Sequence, residues 1–169
     1  MLASSSKSVQ IWHIRDSANI DLIWDSFQLK EKCMNEGYMD AGACPCFEWS
    51  HLNQTKICAG STNQIVTVYD IEAQSIVRQI QAHESGSVNA VHFWGPDHNT
   101  LISGGADGNL RIFDLRNPNF FMAMHESGPD KPILQTIPNP HNDHQMAVLS
   151  HRSGIVSVLD TRKPKFVQA

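Results

Sequence analysis

TLISGGADGNLRIFDLR, residues 100–116, holds two apolar runs joined by a small-residue turn. TLISGGA (100–106) and NLRIFDLR (109–116) are rich in β-branched and aromatic residues, as strands on a half-buried sheet are. Asp107-Gly108 between them is a hairpin signal, because glycine takes the positive φ of a tight turn. Outward from this hairpin stand two more runs, SVNAVHFW (87–94) before it and NFFMAMH (119–125) after it. The stretch therefore reads as four consecutive antiparallel strands.

The same unit recurs. SVQIWHI (8–14), IVTVYDI (65–71) and IVSVLDT (155–161) each match NLRIFDLR: an apolar stretch, a bulky residue, then usually aspartate. Asp70 and Asp114 are 44 residues apart, and Asp114 and Asp160 are 46, close to the roughly 40–45-residue period of WD40 arrays. MLASSS (1–6), KICAGS (56–61) and QMAVLSH (145–151) precede these segments across a short turn. PCFEWS (45–50) and ILQTIP (133–138) come earlier still, and LIWDSFQL (22–29) and SIVRQIQ (75–81) read as outer strands. Four-stranded sheets repeated at this period stack radially as the blades of a propeller. The expected fold class is all-β, a partial WD40-type β-propeller of about four blades. An incomplete blade covers 1–30, two blades cover 43–81 and 83–125, and a last blade covers 132–169 with its final strand incomplete. From His13 to Asp70 is 57 residues, so an insertion is placed around 26–42. SFQLKEKCMNE (26–36) is the best helical pattern in the chain, although it falls where a loop is expected.

The composition narrows the function classes. The chain has 169 residues, 41% hydrophobic and 18% charged, which is enough for one domain with a real core. A net charge of −4 speaks against direct nucleic-acid binding, which needs a basic surface. The chain has no apolar run long enough to cross a bilayer. Its first residues, MLASSSKSVQIWHI, do not read as a signal peptide, so a cytoplasmic or nuclear location is expected. The cysteines, Cys33, Cys44, Cys46 and Cys58, read as buried free thiols. The one-residue gap of Cys44-Pro45-Cys46 does not fit zinc spacing. His141 and His144 read as loop residues without a ligand set, and Gly104–Gly108 as a strand end and turn rather than a phosphate cradle. No catalytic, metal or cofactor site is expected.

At ADGNLRIFDLR (106–116) the chain resembles WD-repeat proteins. HESGPDKPILQTIP (125–138), MAVLSHRSGIVSVLDTRKP (146–164), FEWSHLNQTKICAGSTNQIVTVYDIE (47–72) and LASSSKSVQIWHI (2–14) make it similar to the Transparent Testa Glabra / anthocyanin-eleven family. Its animal relatives are factors associated with cullin-4 ubiquitin ligases. The resemblance implies a seven-bladed ring, of which about four blades are present here. It also implies protein partners: transcription factors of the MYB and basic helix-loop-helix types, or protein kinases. In such blades a His, a strand Ser or Thr, a turn Asp and a strand Trp form a hydrogen-bonded set. Here His83, Ser103 and Asp107 fill three places and Phe113 takes the Trp place, with no N–H to donate. Ala82 stands where the family usually has Gly. A structural lock is the expected role for His83 and Asp107, in preference to acid–base catalysis.

Two repeats end in Asp-x-Arg, at Asp114–Arg116 and Asp160–Arg162. This resembles the box by which many WD40 proteins dock onto the cullin-4 adaptor, where an arginine fork grips partner oxygens. The competing reading is local: Asp caps the turn and Arg pairs beside it. Phe120, Phe121, Met122 and Met124 form an apolar cluster that reads either as blade packing or as a binding hot spot. Trp24, Phe27, Trp49, Phe93 and Trp94 read as blade packing.

Met1 falls inside what should be the second strand of a blade, which reads as a fragment, an isoform or a truncated product. An arc of blades leaves two apolar faces exposed. The 169-residue chain alone is therefore expected to be marginally stable or to self-associate. Sedimentation and calorimetry check this, and a monodisperse monomer with one sharp melt contradicts it.

Overall fold

The structure is a computed structural model that describes residues 2–4, 8–15, 20–26, 28–29, 39–40, 42–117, 121–126, 131–151, 156–160, 162 and 166–168. The described residues form four antiparallel sheets. β1 (Leu2–Ser4), β2 (Val9–Ile14) and β3 (Ile20–Asp25) make a three-stranded sheet. β4 (Cys46–Trp49), β5 (Lys56–Gly60), β6 (Ile65–Asp70) and β7 (Ser75–Gln81) make the second, each paired with its chain neighbour. β8 (Val88–Trp94), β9 (Thr100–Gly105), β10 (Asn109–Asp114) and β11 (Phe121–Glu126) make the third. β12 (Ile133–Pro138), β13 (Gln145–Ser150), β14 (Val156–Asp160) and β15 (Phe166–Gln168) make the fourth. The first strands of the last three sheets lie side by side, β4 against β8 and β8 against β12. This is the stacking of propeller blades.

Apolar layers join successive sheets. Val9, Ile11 and Trp24 pack on Ile57, Tyr69 and Ile76, with the Trp24 and Tyr69 rings edge to face at 5.4 Å. Val66 and Val68 meet Val91, Phe93, Leu101 and Phe113. Trp94, Ile102, Leu110 and Ile112 meet Ile133, Met146, Val148 and Leu159. Each such side chain taken from water contributes about 2 kcal/mol. Phe93 and Phe113 therefore serve blade packing, as do Trp24 and Trp94. Phe27 and Phe120 lie outside the described residues, and Phe121, Met122 and Met124 stand on β11.

The outer strand expected over 22–29 runs instead from Ile20 to Asp25. The Ser26 hydroxyl turns back to accept the Val9 N–H at 2.9 Å in a buried position, which ends the run. Most of the expected insertion and helical pattern lies outside the described residues. Where the chain returns, the Gln79 side-chain amide holds Met39 by two bonds: it accepts from the Met39 N–H at 2.7 Å and donates to the Met39 carbonyl at 3.0 Å.

Two glycines 44 residues apart set the spacing between sheets. A Cβ on Gly60 would lie 2.6 Å from Val88 Cγ1, and one on Gly104 would lie 2.6 Å from Ile133 Cγ2. In each pair the first residue of the next innermost strand occupies the space that a side chain would need. Gly104→Val should therefore force the third and fourth sheets apart and cost about 1–3 kcal/mol, as overpacking does. A denaturant melt reads this, and an unchanged midpoint contradicts the close packing described.

Candidate protein-docking site

Antiparallel pairing gives the sheets two ends. The β9–β10 turn and the β7–β8 connection lie at one end. The β8–β9 and β10–β11 turns lie at the other, with their counterparts in the fourth sheet.

The first end holds a closed polar set. His83 Nδ1 lies 2.9 Å and 3.1 Å from the two Asp107 carboxylate oxygens, and His83 Nε2 lies 2.9 Å from Ser103 Oγ. A carboxylate only accepts, so Nδ1 donates to it. With the ring neutral, the Ser103 hydroxyl donates to Nε2. Burial lowers the His83 pKa below its ordinary 6.5; the Asp107 charge opposes this and Arg111 adds to it. Arg111 also bonds Glu84 at 3.2 Å and approaches Asp107 at 3.7 Å, a contribution that spacing alone did not reveal. Gly105 is required here, since a Cβ on it would collide with the His83 ring and Asp107. Gly108, at φ +78°, makes the turn. The order Ser–His–Asp has the connectivity of a hydrolytic triad. However, Ser103 is 0% exposed and His83 1%, so no substrate reaches the hydroxyl. Phe113 points into the layer against the second sheet and joins that packing instead.

The other end holds the Asp-x-Arg pairs. Asp114 Oδ1 accepts the Arg116 backbone N–H at 2.9 Å, and Asp160 Oδ1 accepts that of Arg162 at 3.0 Å. Each arginine then folds onto its own aspartate. Arg116 Nε and Nη2 donate at 3.0 and 2.9 Å, and Arg162 Nε and Nη2 at 3.0 and 2.7 Å. The two-pronged edge that a free arginine would offer a partner is thus already engaged. Arg116 Nη1 reaches Asp97 at 3.4 Å. The Arg116 hydrogen bonds hold the Asp114 carboxyl below its ordinary range, and the bonds to aspartate raise both arginines above theirs. Both arginine side chains remain well exposed, at 64% and 57%. The result is two exposed guanidiniums, each paired with its own aspartate, at equivalent positions of neighbouring sheets.

Beside this end runs a relay that the sequence reading did not find. Glu48, His92 and Thr136 occupy equivalent places on β4, β8 and β12, 44 residues apart. Glu48 Oε1 lies 3.0 Å from His92 Nδ1, Glu48 Oε2 accepts the Phe93 N–H at 2.7 Å, and His92 Nε2 donates to the Thr136 carbonyl at 2.7 Å. Aligning the innermost strands would have shown a polar residue recurring at the apolar period.

His141 and His144 sit exposed in the β12–β13 turn. Among the described residues no group of His, Cys, Asp and Glu is placed to hold a metal ion. Cys44, Cys46 and Cys58 are free thiols, and burial pushes the Cys46 thiol up to about 12; Cys33 lies outside the described residues.

The WD40 family (WD domain, G-beta repeat) matches residues 74–114. The chain is 25% identical over 164 residues to the DDB1- and CUL4-associated factor 7 homolog of Dictyostelium discoideum, covering 97% of this chain and 48% of that protein. It is 28% identical over 183 residues to an uncharacterized WD repeat-containing protein of Schizosaccharomyces pombe, covering 97% and 41%. The chain thus spans about half the length of these relatives. The β-propeller domain of Myceliophteria thermophila Cps50 (Swd1) superposes with a TM-score of 0.64 at 17% identity, over 78% of this chain and 40% of that one. The fold is a WD40-type β-propeller architecture.

Unfolding releases His83 to its ordinary pKa, so the unfolded chain takes up the extra proton as pH falls below about 6.5. The set's contribution is whole above that pH and declines below it, until the lower folded-state value is passed. Melting temperature should fall between about pH 7.5 and pH 5.5, and less steeply in His83→Gln. That variant should also lose about 2 kcal/mol at neutral pH. Parallel pH profiles for the two chains would contradict the assignment.

Proposed function

We propose that this WD40-repeat chain is a non-enzymatic platform on which other proteins assemble, using the end of its sheets that carries Asp114–Arg116 and Asp160–Arg162. The observation that carries the reading is the repeated clasp: a carboxylate fixes each guanidinium beyond a rigid strand, so little side-chain freedom remains to be lost on docking. Buried triad-like groups at the opposite end support a structural rather than a chemical use. The sequence's likeness to the Transparent Testa Glabra / anthocyanin-eleven family favours transcription factors or protein kinases as partners, and a cytoplasmic or nuclear place of work.

A second reading has its own support. The Asp-x-Arg pair resembles a cullin-4 adaptor box, and one relative is named for association with DDB1 and CUL4. Under this reading the chain is part of a substrate receptor. The clasp changes how docking would work: the partner would meet the outer N–H groups of a guanidinium already held by its own aspartate, and not an open fork.

Affinity purification of the tagged chain from cells tests the platform reading, which fails if no protein is enriched over a tag-only control. Recovery of the cullin-4 adaptor should drop at least tenfold in Arg116→Ala/Arg162→Ala. Equal recovery removes the adaptor reading.

A further inference from the structure

The turns β4–β5, β8–β9 and β12–β13 enclose a cavity of about 370 Å³ at the same end as the clasps. Glu48, His51, Phe93, His98, Pro138 and Asp143 are among its walls. Its size suits one side chain with a short piece of backbone. The wall is organised without a ligand. His98 stacks on Phe93, with ring centroids 5.9 Å apart and planes 8° from parallel. Ser50 Oγ holds His98 Nδ1 at 2.9 Å, and His51 meets the His98 ring edge-on at 6.4 Å. His98 adopts φ +48°, a left-handed conformation that costs energy in a non-glycine residue.

The charge of the lining has one sign. Among the described lining residues Glu48 and Asp143 are the carboxylates, and no lysine or arginine is present. Burial lowers His98 below its ordinary pKa, with Glu48 opposing this less strongly, so its ring brings no positive charge at neutral pH. The Glu48 side chain is fixed by His92 and the Phe93 N–H, yet it remains 22% exposed. The Glu48 side chain is thus oriented and partly exposed at the wall of the cavity. Flat rings and two prolines, Pro138 and Pro140, complete the walls.

We infer that this groove binds an arginine-bearing segment of a partner protein. The guanidinium sits against Glu48 and Asp143, and its stem lies across His98, which Phe93 backs from the core, and the prolines. A planar cation that stacks on rings and forks onto carboxylates matches both features of the wall, better than a compact ammonium does. The same carboxylates repel nucleic-acid phosphates. The His92 relay acts as a positioning device: it holds Glu48 by tying three innermost strands together. The inference rests on the reading of the chain as a protein-binding platform and adds the chemistry of one partner segment.

Fluorescence anisotropy with a labelled heptapeptide, Gly-Ser-Ala-Arg-Ala-Ser-Gly, tests it on the whole chain. Binding should appear below about 1 mM. The same peptide with citrulline, an uncharged isostere of arginine, should bind at least tenfold more weakly. Asp143→Asn, on an exposed turn that leaves the sheets intact, and Glu48→Gln should each weaken the arginine peptide at least threefold. No binding to the wild-type chain, equal binding of the citrulline peptide, or wild-type affinity in both variants overturns the inference. The platform reading is judged separately by protein capture, so either can fail alone.

Discussion

An unpaired strand edge is the constraint on which this molecule turns. In a propeller the innermost strand of each blade has a sheet neighbour on one side only, and its other edge presents bare N–H and C=O groups. Here the preceding blade supplies partners from its own innermost strand. Cys46 Sγ donates to the Val88 carbonyl at 3.3 Å and Glu48 accepts from the Phe93 N–H, both across the second and third sheets. Asn89 Nδ2 donates to the Ile133 carbonyl at 2.8 Å and His92 donates to Thr136, across the third and fourth. Side chains thus do between blades what the ladder does within one. The Thr136 carbonyl can only accept, so Nε2 is the donating nitrogen of His92. His92 Nδ1 lies 3.0 Å from Glu48 Oε1 on its other side. Apolar layers supply most of the adhesion between sheets, and these bonds fix the stagger at which the layers meet.

That division of labour distinguishes the two ends of the sheets. At the His83 end His83, Ser103 and Asp107 satisfy one another out of solvent, which locks a hairpin. At the opposite end each aspartate caps its turn with Oδ1 and holds its arginine with both oxygens, and the guanidiniums stay exposed. The groove between the turns lies at this second end. Its orienting residue, Glu48, belongs to the edge-capping relay. Binding there would therefore act on bonds that join three blades.

The arginine clasp also revises a simple view of Asp-x-Arg boxes. An arginine is usually credited with an open fork for a partner's oxygens. Here the Nε–Nη2 edge closes on its own aspartate two residues back. The local reading of the motif and the docking reading are then compatible, since both arginine side chains stay exposed while paired.

The repeated architecture was legible in the sequence because it is written in short-range chemistry. β-branched runs, the Asp107-Gly108 turn and the 44- and 46-residue steps between Asp70, Asp114 and Asp160 depend on neighbours along the chain. The grouping of His83, Ser103 and Asp107 came from the resemblance to WD-repeat blades, not from spacing alone. Only the tertiary structure decided what faces what across blades. The Glu48–His92–Thr136 relay joins residues one repeat apart, on three different sheets, which no turn brings together. Stacking does so, and the close approach at Gly60 and Gly104 sets its distance. The end of the first outer strand at Asp25 followed the same rule, because the hydroxyl of Ser26 found its partner at Val9, 17 residues away. Sequence periodicity specifies that sheets form, and the unmet hydrogen bonds at their edges decide how they meet.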